Sequence, residues 1–259
     1  MEGCLLALVT ALFKKTDGYI KRPMINHEHE ALVSALKDPK ALDEYKKPYD
    51  AFHVGFIPRI LGKLLVGAGA AVYGEAPSYG KFKAVEVIAR IPYQSWEVMS
   101  YMLLTIFYSN EGKAIELSRT SYFSHASQDN ETMHVVVLSD LARKYGQDSI
   151  IRHTMIPLFF SFFYFVSSSL LYLFHPRSAL ELNYLFESHA FSQYDRFLDE
   201  YGEEMKGKAV KSNFLEFYGR HVESEYDLFV SIRSDEIIHR NASAKRAEEY
   251  RRETSRHRS

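Results

Sequence analysis

Between Arg177 and Tyr201, Leu180, Tyr184, Glu187, Phe191, Tyr194 and Leu198 recur at alternating steps of four and three. That is the period of one continuous helix face. Glu187 sits in the middle of the stripe, where a carboxylate is costly unless paired or bound to metal. A second face of this kind, Leu228, Phe229, Ile232, Glu236 and His239, predicts a helix over about 223–244. A third helix is expected over about 118–145, stopped by Gly146. A fourth should run from 79 to about 108, kinked by Pro92 and ended at Glu111-Gly112. Residues 155–174 carry no charge over twenty positions, long enough to span a bilayer. Residues 55–74 are apolar with a basic edge at Arg59 and Lys63, a pattern that suits either a bundle helix or one lying in a membrane surface. Pro23, Pro39 and Pro48 limit helix length in the first fifty residues. The chain therefore divides into an N-terminal arm (1–54), a helical domain (55–244) and a charged tail from Lys245 (245–259), expected to be frayed or disordered.

The chemistry lies in a pattern that occurs twice, Glu131-Thr-Met-His134 and Glu236-Ile-Ile-His239. Residues i and i+3 share a helix face, so each Glu and His point the same way. Two such helices, with one inward Glu from each of two others, make the di-metal carboxylate site of a ferritin-like four-helix bundle. Glu86 and Glu187 are the lone carboxylates, in the right chain order. The expected fold is all-α: a ferritin-like four-helix bundle around a di-iron centre, with additional membrane-surface helices.

Composition narrows the metal. One cysteine, Cys4, excludes an internal disulfide and nearly excludes sulfur ligation. Oxygen and nitrogen donors suit iron or manganese better than structural zinc. The 32 basic residues nearly balance 33 acidic ones, which argues against a general nucleic-acid binder. Eighteen Phe and eighteen Tyr beside a single Trp suit core packing first, and collectively a membrane interface or quinone pocket. The run Leu5–Phe13, followed by Lys14 and Lys15, has the charges on the wrong side for a secretory signal and does not read as a transit peptide. If 155–174 crossed a bilayer, Glu131 and His134 would be separated from Glu187 by about 30 Å of hydrocarbon. Ligands of one di-metal site lie within a few ångströms of each other. The expectation is a long bundle helix whose outer face dips into one leaflet. Its serines, Ser161, Ser167, Ser168 and Ser169, suit a helix packed partly on protein.

AVEVIARIPY (84–93), NETMH (130–134), FESHAFSQYDRFL (186–198) and YDLFVSIRSDEIIH (226–239) resemble the alternative oxidases, and within them the plastid terminal oxidase branch. The resemblance covers roughly 55–242, and four motifs agree in type and order. It implies that Glu86, Glu131, His134, Glu187, Glu236 and His239 bind two irons. Tyr194 would match the family's redox-active tyrosine, able to supply an electron and a proton during O–O cleavage. Asn130 and Asp235 would match positions that orient ligands. Lys81, Phe82, Val85, His189, Ala190 and Gln193 would form the quinol head-group pocket. Lys81 stands where the family usually has Arg, keeping the charge but losing the planar fork. The stretch from Glu86 to Glu131 is a few residues longer than the family's, and the 202–223 loop is shorter than in plastid members.

The implied activity is a monotopic quinol oxidase that takes electrons from plastoquinol or ubiquinol and reduces O₂ to water without pumping protons. The implied location is the chloroplast thylakoid membrane, with the mitochondrial inner membrane as alternative and a homodimer left open. Two rivals stand beside it: a di-iron hydroxylase of a quinone-like lipid, and a non-catalytic membrane-surface bundle.

Overall fold

The computed structural model describes residues 26–256. Cys4, the Leu5–Phe13 run and the end of the tail lie outside them. The described chain is helical: α1 (His27–Ala35), α2 (Pro39–Asp50), α3 (Phe56–Tyr73), α4 (Tyr79–Ala89), α5 (Ile91–Phe107), α6 (Glu111–Lys144), a π-helical turn (Ile151–Met155), α7 (Ile156–Phe174), α8 (Pro176–Met205), α9 (Asn213–Tyr218) and α10 (Glu225–Arg256). No strand occurs among the described residues, only an isolated bridge between Ala209 and Ser224. The all-α bundle is the expected fold. Its four walls are α4 with α5, then α6, α8 and α10, and α8 packs along α10 over much of its length.

Local chemistry sets the ends. The expected kink at Pro92 is a break: α4 ends at Ala89, and Pro92 sits in the first turn of α5, where its missing N–H costs nothing. Ser95 Oγ donates to the carbonyl of Pro92 at 2.8 Å, tightening this first turn. Glu111-Gly112 does not end that helix. It opens α6, because the Asn110 side chain accepts from the N–H of Lys113 at 3.0 Å and acts as the N-cap. α6 thus starts seven residues earlier than the pattern implied. Its far end closes at Gly146, with φ of +66°, and the N–H of Gln147 reaches back to the carbonyl of Ala142 at 2.8 Å. α8 runs to Met205, past the expected end at Tyr201. The expected tail is instead the last turns of α10, which continue through Arg256 with Ala244 and Ala247 buried.

The core falls into several clusters, the largest of them beside the Tyr194 end of α8. Tyr79, Phe82, Tyr194, Phe197 and Phe229 pack there with Met133, Val137, Leu228 and Ile232. The described part of the N-terminal arm packs on α8 and α10. Val33, Leu36 and Leu42 pack on Phe191, Ile237 and Ile238, and Arg240 bonds Asp50 and the carbonyl of Lys46, both at 2.8 Å.

α3 and α7 are different. Both are long and apolar enough to cross a membrane by length and composition, yet only 11% and 28% of their most apolar windows are buried. Phe56 is 77% exposed and Phe162 67%. The protein side of α7 carries its small polar residues: Ser168 bonds Ser95 at 2.8 Å, and Ser161 and Ser169 are buried. Ser167 is the exception, bonding the carbonyls of Phe163 and Tyr164 on its own helix. α3 approaches α8 closely at Gly62, where a Cβ would lie 2.9 Å from Leu185.

Candidate metal centre

Six side chains from four walls converge in the interior. Glu86 comes from α4, Glu131 and His134 from α6, Glu187 from α8, and Glu236 and His239 from α10. All six are buried. They form two groups of donor atoms, each within 4.8 Å of one another: Glu86, Glu131, His134 and Glu236 in one, and Glu131, Glu187 and His239 in the other. Glu131 belongs to both. His134 Nδ1 lies 3.4 Å from Glu86 and Glu131 and 3.5 Å from Glu236. His239 Nδ1 lies 2.9 Å from Glu131 Oε1.

These donors make few hydrogen bonds. Glu86 Oε2, both oxygens of Glu131, both of Glu236, and Nδ1 of His134 and His239 are buried without one. Buried polar atoms in native folds are almost always paired. So many facing orphans in one spot need a cation, and four carboxylates with two imidazoles are a donor set for a hard or borderline divalent metal. The residues fit the two-metal centre that the sequence implies.

Without a cation the charges crowd. Burial, then the charge on Glu131, pushes Glu86 up to about 8. The same causes raise Glu236 well above the carboxylate range and also raise Glu187. Burial works upward on Glu131 too, but the neighbouring His134 and His239 rings outweigh it and hold Glu131 low. Burial disfavours the His134 imidazolium, yet Asp235, Glu131 and Glu86 together raise its pKa well above the ordinary value.

Around the donors stands a hydrogen-bonded shell. Asp235 accepts from His134 Nε2 at 2.9 Å, which turns Nδ1 toward the cluster. Asn130 donates to the Tyr218 hydroxyl at 3.1 Å. Tyr194 donates its hydroxyl to Glu86 Oε1, and its ring stacks on Phe82 at 4.2 Å. Several partners escaped the sequence reading. Tyr93 donates to Glu187 Oε1 at 2.7 Å, and Asn183 bonds Tyr93, Glu187 and Ser243. Arg220 and His29 hold Asp235 from the other side. Tyr93 and Asn183 lie on helices already read as inward. Arg220 sits in a polar connection and carries no local signal.

The expected quinol-pocket residues lie together along α4 and α8, unequally disposed. Lys81 Nζ bonds the carbonyls of Gly74 and Glu75, both at 2.9 Å, and Gln193 Oε1 at 3.1 Å. Burial and the Arg196 charge hold its pKa below the usual lysine range. Phe82 is turned into the core, Val85 and Ala190 are half-buried, and His189 is exposed.

The alternative oxidase family profile matches residues 51–248, all four walls and all six donors included. The chain belongs to the alternative oxidase family. It is 26% identical over 182 residues to ubiquinol oxidase 4, chloroplastic/chromoplastic, of Arabidopsis thaliana, an alignment covering 62% of this chain and 49% of that protein. The chain thus spans about half the length of the curated relative it matches.

Proposed function

We propose that this alternative oxidase oxidises a membrane quinol at a di-iron centre and reduces O₂ to water. The observation that carries the reading is the convergence of Glu86, Glu131, His134, Glu187, Glu236 and His239, with unpaired donor atoms on all of them but Glu187. When bound there, two irons supply the O₂-binding and electron-accepting chemistry. Two quinols release four electrons and four protons, and O₂ takes up all eight to give two waters. No charge crosses the membrane in that balance, so no proton pumping is implied.

The chain's own residues divide the remaining work. Tyr194 holds its proton against Glu86 Oε1. Glu86 is thereby placed to take that phenolic proton and to return it. The stacked Phe82 ring and the neighbouring Phe197 and Phe229 keep water from the phenol. Lys81 and Gln193, already joined, form the polar end of a head-group site with Val85, His189 and Ala190 beside them. As an ammonium, Lys81 offers single hydrogen bonds where an Arg would offer a fork. Asn130 and Asp235 orient ligands.

The apolar outer faces of α3 and α7 support a monotopic seat in one leaflet. The name of the Arabidopsis relative, a ubiquinol oxidase of chloroplasts and chromoplasts, supports a quinol substrate and a plastid location; plastoquinol at the thylakoid membrane is the reading proposed, with ubiquinol and the mitochondrial inner membrane as the alternative. The deciding experiment is oxygen uptake by the purified protein in liposomes with quinol as sole reductant. Uptake at two quinols per O₂ supports the oxidase. A requirement for another reductant, with a hydroxylated product, would make it a lipid hydroxylase. No uptake at full iron loading would leave a non-catalytic bundle.

A further inference from the structure

α1 lies before the segment that matches the family, residues 51–248. Even so, it reaches the ligand shell. His29 Nε2 is 2.7 Å from Asp235 Oδ1. The next residue, Glu30, accepts from Arg220 Nη2 at 2.6 Å and from Arg220 Nε at 3.0 Å. The same guanidinium donates to both oxygens of Asp235, with Nη2 to Oδ1 at 3.0 Å. Asp235 Oδ2 in turn takes the Nε2 proton of His134 at 2.9 Å. Asp235 and Arg220 are buried, and His29 and Glu30 close the network toward the surface.

One carboxylate is therefore shared among three donors: His134, His29 and Arg220. A carboxylate that draws strongly on a histidine N–H makes the opposite ring nitrogen a more basic ligand. Each further donor to that carboxylate takes up part of its charge and weakens the draw. His29 acts in this direct way. Glu30 acts oppositely, because it draws Arg220 away from Asp235 and leaves more of the Asp235 charge for His134.

We propose that α1 is a tuning element for the metal centre: through His29 and Glu30 it sets how strongly Asp235 pulls on His134, and so the basicity of the His134 nitrogen that faces the ligand cluster. The proposal rests on the di-iron reading above. His29 and Glu30 are positioning residues: neither belongs to the two donor groups, although the His29 ring lies tilted against that of His239 at 6.1 Å between centroids.

The opposed signs give the test. Full-length protein is loaded with iron, and the reduction midpoint of the centre is measured by spectroelectrochemical titration for wild type, His29→Ala, His29→Gln and Glu30→Gln. A more basic ligand favours the ferric state. His29→Ala is expected to lower the midpoint, with iron near wild type. His29→Gln keeps an amide N–H within reach of Asp235 and is expected to restore most of the difference. Glu30→Gln removes the charge that competes for Arg220 and is expected to raise the midpoint. Unchanged midpoints, or shifts of the same sign in His29→Ala and Glu30→Gln, would overturn the tuning role. Should His29→Ala misfold, the Glu30→Gln shift decides alone. Wild-type protein that takes up no iron would instead bring down the metal reading, and the proposal with it.

Discussion

α7 and α8 are consecutive helices separated by His175, yet each inverts the usual rule for a globular helix. α7 exposes Phe159, Phe162, Phe163, Leu170 and Phe174 to the outside. α8 buries Glu187 in the donor cluster, whereas the Glu181 and Asn183 it also buries are satisfied within the protein, Glu181 by Arg177 at 2.7 Å. Apolar area left in water forgoes about 25 cal/mol per Å², and a buried ionised carboxylate without a partner costs several kcal/mol. Neither exception is stable alone. Under the proposed function each is met by a component outside the polypeptide: lipid for α7, metal for α8. The comparison teaches that burial which breaks the rule identifies what the chain binds.

The sharpest way to break the α8 half of the comparison is Glu187→Ala. It deletes a donor from the interior and should remove most of the iron and all quinol-dependent oxygen uptake. Near-stoichiometric iron with normal uptake would show that Glu187 is not a ligand.

Tyr194→Phe should leave iron and membrane binding intact while slowing oxygen reduction by roughly 10²-fold or more, the scale of a lost proton-transfer group. Turnover at the wild-type rate would make Tyr194 a packing residue.

On α7, the pair Phe159→Glu and Phe162→Glu should shift the protein from the membrane pellet to the supernatant. Burying one Phe is worth about 1.5–3 kcal/mol, and both rings are lost. Iron content should hold, since neither ring faces the centre. In the unaltered protein, reconstituted in sealed vesicles, protease should reach only one face. Cleavage from both sides would replace the one-leaflet seat with a spanning helix.

A smaller effect concerns acidity. Glu86 is raised from 4.5 to about 8 in the metal-free site. The fold therefore binds this proton more tightly than the unfolded chain does. That contribution is complete below pH 4.5 and is lost as pH rises toward 8. Chelator-stripped protein should thus lose melting temperature across that interval. Iron-loaded protein should not, because the metal has already displaced the proton. Parallel melting curves for the two forms would contradict the raised pKa of Glu86.

The convergence of these side chains was legible because the pairs repeat at helical spacing, so Glu131 with His134 and Glu236 with His239 announce themselves. The inward stripe through Glu187 and Tyr194 was legible for the same reason. Helix ends were less so. Asn110 outweighed Gly112 through one side-chain hydrogen bond, and α10 kept its helix beyond Lys245 because Ala244 and Ala247 are buried there. The shell around Asp235 was hidden. His29 stands 206 positions from it and Arg220 fifteen, the latter in a segment with no periodicity. Nothing local in the sequence couples them.

α10 runs unbroken from Glu225 to Arg256. At its start, Glu225 accepts from the hydroxyls of Tyr79 and Tyr145. Its middle carries Asp235, Glu236 and His239, and Ser243 then meets the Asn183 that steadies Glu187. Such a rod fixes phase. Each residue turns the helix by about 100°, so one residue inserted between Glu225 and Asp235 would swing the ligands off the centre even though every side chain were retained. One inserted after His239 would spare Glu236 and His239 but carry Ser243 and Ala247 round to the wrong side. The centre and the far end of the bundle are thereby indexed to one another by angle, and this helix can vary freely in sequence only where it does not vary in length.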